Sequence, residues 1–535
     1  MQEKQSGQSS VAPATDGDKE GGARRRPTLS VRDVLLRLLG LGLIDAVALW
    51  FIYRLIADGL LPAAVVLAVV TLVVNWVFLD DRLYPVRWLT PGLLLMLLMV
   101  VYPLVFAVYI AFTNYSAGNI LTKEQVIRQL ESQYYQPPNA VSYEWTAYRN
   151  PSGDFKIIFK DPQGRYYLGD PQKGLEPFEV QGDQPPATID GYQRVERLQT
   201  FQYLGQLTKI EIKEGENLIR ITGVGRAVQS RQQYTYHPES DTLVDNQTGK
   251  VYRPVRGNFT ADDGTQLYPG WPAFVGFENY LRVINDPNIR GPFFTVFIWT
   301  VVFAALSVLL TFVVGLGLAL VLNDRDLPLR PIFRSIMIIP YTIPGVISVL
   351  IWTGLLNPYY GNFSLFLKSV FGSPPGWFEW FSDGTWAKMG ILLVNTWLGF
   401  PYMMLLCLGA LQSIPTDMYE AADIDGAGPW TKFYRLTLPL LLVSVAPLLI
   451  GSFAYNFNNF GVIELYNRGG PPISGANTPA GQTDILISYA YRLAFGGGQG
   501  ADYGLASAIS VFIFLIVAGI TLFNFRYTRT LEELT

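Results

Sequence analysis

Long apolar runs alternate with short polar segments along most of this chain. Each run is about 20 residues long, which is the length a helix needs to cross a bilayer core of about 30 Å. The pattern predicts eight membrane-spanning helices, at residues 36–57, 60–79, 91–113, 294–322, 332–356, 389–411, 439–462 and 503–525. We therefore expect an all-α polytopic membrane protein, with transmembrane helices one to three within residues 33–113 and helices four to eight within residues 294–535.

A different pattern fills residues 114–293, between the third and fourth runs. The interval opens with the amphipathic stretch TKEQVIRQLESQYY, and short alternating runs such as DFKIIFKD, GRYYLGD, LIRITGV and GKVYRPV follow. Turn residues separate these runs, as expected for strands. The sequence predicts a helix followed by an inserted β-rich, sandwich-like domain. We found no acid, base and nucleophile arrangement in it, so docking or stabilisation is a better hypothesis than catalysis.

Lysine and arginine in the short loops predict the orientation of the chain in the membrane. One side collects most of them: Arg24, Arg25, Arg26, Arg32, Arg82, Arg87, Arg325, Arg330, Arg334, Lys432, Arg435, Arg526 and Arg529. That side is expected to be cytoplasmic, with both termini on it, and residues 114–293 are expected to be extracytoplasmic. The last external loop, residues 464–502, is dense in glycine and proline and is expected to be ordered but irregular. Residues 1–32 are polar and charged, which predicts a disordered cytoplasmic tail without a signal peptide.

Composition limits the chemistry that this chain offers. The single cysteine excludes an intramolecular disulfide framework and a multi-cysteine metal site. The single histidine, His237, would have to serve any Ser–His or Cys–His catalysis. We predict no catalytic residue and no metal site. A net charge of −3 says little, because in a membrane protein the position of charge matters more than its sum.

A polar loop, residues 413–438, separates the sixth and seventh runs. It contains EAADIDGAGPW, with Asp417 and Glu420 spaced as in a capping box. Gly426 is expected to end a first short helix and Pro429 to begin a second, which Pro439 ends. The loop is thus predicted to be a compact helix–turn–helix at the membrane surface. An ordinary interfacial loop remains the alternative from these residues alone.

Polar residues in the sixth and seventh runs recur at helical spacing and indicate a candidate binding site. Four fall at i, i+3, i+4 and i+7 in each run, namely Asn395, Leu398, Gly399 and Tyr402, then Ser452, Tyr455, Asn456 and Asn459. Amides and hydroxyls both donate and accept hydrogen bonds, which suits sugar hydroxyls, and no charge lies on either face. Hydrogen bonding between helices is the alternative. Asn458 is expected to pack elsewhere, and Pro340, Pro344 and Pro447 to kink helices.

The loop segment EAADIDGAGPWTKFYRLTLP resembles the EAA motif of permeases from ABC importers. The matching residues are Glu420, Ala421, Ala422, Asp425, Gly426, Ala427, Trp430, Phe433, Leu438 and Pro439. FVGFENYLRVINDP, VNTWLGFPYMMLLCLGALQSIP and GSFAYNFNNF are similar to segments of the large permease subunit of maltose/maltodextrin importers. The resemblance covers nearly everything from residue 90 onward.

This resemblance implies a binding-protein-dependent sugar permease in a bacterial inner membrane. The EAA loop would couple to a separate ATPase, and the two polar faces would bind sugar. The implied partners are a second, smaller permease, an ATPase dimer and an extracytoplasmic sugar-binding protein, with no nucleic acid. The chain has no P-loop sequence, so ATP–Mg is expected on the ATPase subunits and no cofactor on this chain. An ion-coupled sugar transporter and a membrane carbohydrate sensor are the alternatives. An ion-coupled transporter needs a membrane acid at its substrate site, and Asp45 in the first span is the obvious candidate.

Overall fold

The computed structural model describes residues 31–532 except 60, 172, 181–183, 216, 325, 373, 375–376 and 497–499. The predicted disordered tail therefore lies almost entirely outside the described residues. The chain divides into two compact units, Met1–Leu104 and Val105–Thr535.

The N-terminal unit is a helical hairpin followed by a third helix. Its helices are α1 (Val31–Ala57), α2 (Leu61–Leu79) and α3 (Tyr84–Met96), after which comes a π-helical turn, Leu97–Val101. Asn75 donates a hydrogen bond of 2.6 Å to the Asp45 carboxylate, which joins α2 to α1. This contact gives the intramembrane acid a partner, as polar groups at membrane depth require. The helix α4 (Tyr102–Ala111) follows the π turn.

Several helices are long and apolar enough to cross a membrane. Among the described residues six meet this test, namely Leu35–Ala57, Asp81–Ala111, Pro287–Asn323, Gly384–Gln412, Pro429–Phe457 and Tyr503–Asn524. A seventh candidate is the pair Arg330–Thr342 and Gly345–Leu355, which is bent by 92°. The predicted second span corresponds to a shorter apolar helix, Ala63–Leu79. The protein is thus a polytopic membrane protein, with six to seven such helices among the residues that the structure describes.

The region between α4 and the next long helix is rich in β-strands, as predicted. It begins with α5 (Lys123–Glu131), whose capping box pairs Thr122 with Gln125, and it also contains α6 (Arg197–Leu207). The strands are β1 (Tyr134–Tyr135), β2 (Ser142–Arg149), β3 (Phe155–Lys160), β4 (Tyr166–Asp170), β5 (Gly174–Pro177), β6 (Thr188–Ile189), β7 (Tyr192–Arg194), β8 (Glu211–Glu214), β9 (Asn217–Gly223), β10 (Arg226–Gln232), β11 (Tyr234–His237), β12 (Thr242–Asp245), β13 (Val251–Val255) and β14 (Asn258–Ala261).

These strands form two antiparallel sheets with separate cores. The larger sheet has the order β5-β4-β3-β2-β10-β9-β8, and the smaller one runs β11-β12-β13-β14. Leu207 of α6 is buried in the core of the larger sheet with Phe159 and Ile219. Val126 and Leu130 of α5 are buried in the core of the smaller sheet. Each sheet therefore has a helix against it, and sandwich-like packing of one sheet on the other stays a prediction.

The remaining helices form the membrane-embedded part of the second unit and its connections. They are α7 (Glu278–Asn285), α8 (Pro287–Asn323), α9 (Arg330–Thr342), α10 (Gly345–Leu355), α11 (Asn362–Phe371), α12 (Gly384–Gln412), α13 (Thr416–Ile424), α14 (Pro429–Lys432), α15 (Leu438–Phe457), α16 (Phe460–Asn467), α17 (Leu486–Phe495) and α18 (Tyr503–Glu532).

Close packing of α8 on α12 organises this part of the molecule. A Cβ atom added to Gly315 would lie 2.7 Å from the Met403 Cβ, and one added to Gly399 would lie 2.7 Å from the Thr311 Cγ2. Small residues at such points let helix backbones approach closely in membranes. The α8 helix has 37 residues, or about 55 Å, so it extends beyond a bilayer core of about 30 Å.

Two predicted spans and one predicted loop differ from the structure. The fifth span is broken at Ile343, where the backbone leaves the helix directly before Pro344, because a residue before proline is driven out of the α conformation. The seventh span ends at Phe457 instead of residue 462, and α16 begins after Asn459. The loop 464–502, predicted to be irregular, contains α17, whose Arg492 pairs with the fully buried Asp484.

Candidate functional site

A cavity of about 680 Å³ lies among α8, α9, α10, α12, α15 and α16. All eight of the residues predicted for binding line it: Asn395, Leu398, Gly399, Tyr402, Ser452, Tyr455, Asn456 and Asn459. The structure therefore brings the two predicted faces together around one space. Asn459 reaches the cavity even though it lies past the end of α15, because the chain turns there into α16.

Three asparagines on the cavity wall form a hydrogen-bonded relay, which we call the amide relay: Asn395, Asn456 and Asn459. The Asn395 amide donates to the Asn456 side-chain oxygen at 2.8 Å, and the Asn459 amide donates to the Asn395 oxygen at 3.2 Å. Asn456 in turn donates to the Ser452 carbonyl at 2.8 Å. Asn395 and Asn456 are buried, at 4% and 8% exposure. The relay thus satisfies buried amides and joins α12 to α15.

Exposed aromatic side chains complement the relay. Tyr455 is 69% exposed and Tyr402 is 39% exposed, and both line the cavity. None of the described residues that line the cavity carries a charge. Amides, hydroxyls and ring faces without charge suit a neutral polyhydroxylated ligand, since such a ligand offers both hydrogen-bonding groups and apolar C–H faces.

The broken fifth span contributes cavity-lining residues that were not predicted from the sequence. Pro340, Tyr341 and Ile343 line the cavity beside the 92° bend, as do Gly345 and Val346 of α10. Pro340, predicted only to kink a helix, therefore also forms part of the cavity wall. The signal in the sequence was the pair of prolines around Tyr341 to Ile343, since a broken helix exposes backbone and side chains to a cavity in transporters. Asn458, predicted to pack elsewhere, is not among the cavity-lining residues.

The second predicted site, the loop at residues 413–438, is a helix–turn–helix. The helix α13 ends where Gly426 adopts a φ of +75°, and the Ala427 N–H donates to the Ala422 carbonyl at 2.9 Å. Pro429 occupies the first turn of α14. The residues predicted for coupling are exposed or partly exposed: Glu420, Ala421, Ala422, Asp425, Gly426, Ala427 and Trp430. Trp430 is 74% exposed and Ile424 is 88% exposed, which gives this polar loop two apolar projections.

Two local predictions for the loop are wrong. The capping box at Asp417 is not formed, because α13 begins one residue earlier, at Thr416 after Pro415, with no side-chain cap. Pro439 does not end the second helix. A π-helical turn, Phe433–Thr437, carries the chain from α14 into α15. Pro439 lies in the first turn of α15, directly after this π-helical turn. The loop and the cavity wall therefore share one continuous helix, Pro429–Phe457.

Two family models match parts of this chain. Residues 311–529 match the family model described as "Binding-protein-dependent transport system inner membrane component", and residues 93–172 match "N-terminal of TM subunit in PBP-dependent ABC transporters". A chain from the crystal structure of a bacterial ABC transporter that imports alginate is 24% identical, with a TM-score of 0.40, over 48% of this chain and 84% of that chain.

Curated relatives cover almost the whole chain. The maltose/maltodextrin transport system permease protein MalF of Vibrio vulnificus (strain YJ016) is 40% identical over 508 residues, 92% of this chain and 94% of its own length. MalF of Escherichia coli (strain K12) is 38% identical over 501 residues, 91% of this chain and 96% of its own. The chain therefore belongs to the family of MalF transport permease proteins, and it is a membrane transport component and not an enzyme.

Proposed function

We propose that this chain forms one half of a sugar-conducting pore that imports maltose and maltodextrins through a bacterial inner membrane. The observation that carries the proposal is the uncharged cavity, whose lining contains all eight residues expected to contact sugar. Kinship with MalF proteins supports maltose and maltodextrins as the substrate class.

Alternating access is the proposed mechanism. The amide relay uses part of the hydrogen-bonding capacity of three asparagines, and a sugar would bind the donors and acceptors that remain or compete with the relay. Because Asn395 lies on α12 and Asn456 on α15, movement of either helix changes the spacing of the relay. Rocking of α15 then opens the cavity to one side of the membrane and closes it to the other.

Energy is proposed to enter through the loop at residues 413–438. The exposed Glu420, Gly426 and Trp430 would dock on a separate ATPase subunit that holds ATP and Mg²⁺. A dimer of that ATPase, a second and smaller permease, and an extracytoplasmic sugar-binding protein are the further proposed partners. The continuous helix Pro429–Phe457 supports this route, since it runs from the docking loop to the cavity wall.

We propose eight membrane crossings with both termini in the cytoplasm. This count adds the shorter helix Ala63–Leu79 and the bent pair of α9 and α10 to the long apolar helices. The positive charge of the short loops supports the orientation, with the β-rich region outside and the coupling loop inside. The β-rich region is proposed to help seat the binding protein.

An ion-coupled transporter is the rival for this pore. Such a carrier needs a membrane acid beside its substrate, and Asp45 was the candidate. Asp45 accepts a hydrogen bond from Asn75 within the N-terminal unit and is not among the described residues that line the cavity. This arrangement favours the ATP-driven importer.

Labelled-maltose uptake into proteoliposomes that contain the chain and its partners tests the proposed site. Asn456→Ala is expected to lower uptake about tenfold, which corresponds to a lost contribution of about 1.4 kcal/mol. Gly409→Ala is the matched control, because its added Cβ meets no atom within 4 Å and the residue does not line the cavity. Unchanged uptake of maltose and of longer maltodextrins by the Asn456→Ala variant would rule out this cavity as the proposed sugar-binding site.

A further inference from the structure

Two contacts close the loop at residues 413–438. At its tip, the Lys432 ammonium pairs with the Asp423 carboxylate at 2.6 Å. At its base, the Tyr419 hydroxyl lies 3.0 Å from the Thr437 hydroxyl. The Asp423 side chain of the tip contact is largely exposed to solvent, and exposed ion pairs contribute little to stability. The base contact has a buried partner, because Thr437 is 5% exposed.

The base contact falls on an irregular point of the helix. Thr437 is the last residue of the π-helical turn, Phe433–Thr437, and its hydroxyl also lies 3.3 Å from the Lys432 carbonyl oxygen. A π turn accommodates one more residue than an α turn and is often found at functional positions. Without a lock, such a turn is a place where the helix can bend or shift register.

The chain passes from the loop into α15 through this turn. Trp430, on the loop, and Asn456, on the cavity wall, are separated by 26 positions, or about 39 Å of helix. Movement at the loop tip reaches the cavity through this helix only if the π turn does not bend. Tyr419 belongs to α13, so its contact with Thr437 ties the first helix of the loop to the base of the second.

We propose that Tyr419 and Thr437 are positioning residues that lock this π turn, so that loop movement is passed to α15 and is not absorbed at the turn. The inference rests on the proposed docking of an ATPase on this loop. It adds a specific requirement, namely that efficiency of coupling depends on one hydroxyl–hydroxyl contact that touches neither the sugar nor the ATPase-facing residues.

Near-isosteric variants test the lock in proteoliposomes with the partner subunits and binding protein. Tyr419→Phe and Thr437→Val each remove one hydroxyl, whereas Thr437→Ser retains it. Ser444→Ala is the control, since the Ser444 hydroxyl is bonded within its own helix, to the Leu440 carbonyl. The measurement is the number of ATP molecules hydrolysed per sugar imported, together with the amount of complex recovered.

Tyr419→Phe and Thr437→Val are each expected to raise the ATP-to-sugar ratio at least threefold with normal recovery of the complex. The double variant should be no worse than either single one, since both remove the same contact. Thr437→Ser and Ser444→Ala should keep the wild-type ratio. A wild-type ratio in Tyr419→Phe and Thr437→Val, additive effects in the double variant, or loss of the assembled complex would overturn the proposal.

The same assay separates this inference from the proposed function. If Gly426→Val uncouples transport while Tyr419→Phe does not, the lock is wrong and the docking loop stands. If neither variant changes the ratio, both the lock and the proposed coupling through this loop are wrong.

Discussion

The side-chain amide of Asn395 on α12 donates to the side-chain oxygen of Asn456 on α15 over 2.8 Å. This contact makes one wall of the cavity from two helices. It also uses part of the hydrogen-bonding capacity of two amides that are well suited to bind a sugar. The relay therefore links the distance between α12 and α15 to the hydrogen-bonding capacity of the site.

Replacing Asn395 tests the relay directly. Asn395→Leu keeps the branching and the number of side-chain heavy atoms but leaves the Asn456 oxygen and the Asn459 amide without this partner, at a cost of about 1–3 kcal/mol for a buried group. We expect at least tenfold lower maltose uptake with the complex assembled. Thr396→Val is the control, because that hydroxyl bonds only within its own helix, to the Leu392 carbonyl. Wild-type uptake in Asn395→Leu would show that the relay is not part of the pathway.

Filling the space at Gly399 should narrow the cavity. A Cβ there would lie 2.7 Å from the Thr311 Cγ2, so Gly399→Val must push α12 away from α8 or occupy the cavity. We expect uptake of long maltodextrins to fall further than uptake of maltose, because the longer ligand needs more of the space. Competition between labelled maltose and maltodextrins of increasing length measures this. Equal loss for all lengths, with Gly409→Ala normal, would contradict a steric role.

Altering the docking loop should uncouple the pore without preventing its insertion in the membrane. Gly426 has a φ of +75°, so Gly426→Val strains the turn that separates α13 from α14. Glu420→Lys reverses an exposed charge on α13. We expect uptake below a tenth of wild type in both, with the chain present in the membrane at normal level. Normal transport and normal complex recovery in both variants would rule out coupling through this loop.

The β-rich region should lose a local stabilising contact in acid. Burial acts to raise the pKa of Asp161, but hydrogen bonds from the Arg165 backbone and guanidinium outweigh it, so its pKa is lowered. Because the folded pKa is lowered, the stabilisation is complete above the ordinary value of about 4 and disappears as the pH falls through the folded value. Amide exchange at Gln163 and Arg165 in the full chain, compared at each pH with Asp161→Asn, measures it. We expect the variant to exchange faster than wild type at pH 7, and the difference to shrink as the pH falls through the lowered pKa of Asp161. Equal protection at pH 7 would contradict the assignment.

Periodicity located the cavity residues because helical spacing fixes which residues share a face. The predicted groups on α12 and α15 consequently meet in the structure, including Asn459 beyond the helix end. The sequence did not predict that the fifth span forms part of the cavity wall. Apolar periodicity does not distinguish one straight helix from two short helices that meet at 92°. The π turn escaped it because Phe433 to Thr437 has no residue that marks a wider turn.

Other differences follow from tertiary packing. The core of each sheet is closed by a helix, α5 or α6, and strand alternation alone does not say what covers a sheet. The glycine and proline content of residues 464–502 suggested an irregular loop. The buried Asp484 pairs with Arg492 and accepts from the Ser488 hydroxyl, both in α17. The Leu486 N–H at the start of α17 donates to the Thr300 hydroxyl of α8, a long-range contact that local composition does not reveal.

The central claim is that ATP on separate subunits, and not an ion gradient, drives sugar through this pore. Proteoliposomes that contain the chain, its proposed permease and ATPase partners and the binding protein allow each energy source to be supplied alone. We expect labelled maltose to accumulate with ATP available to the ATPase subunits and no ion gradient, only when the binding protein is present. Accumulation driven by a proton or sodium gradient in the absence of ATP would contradict the account.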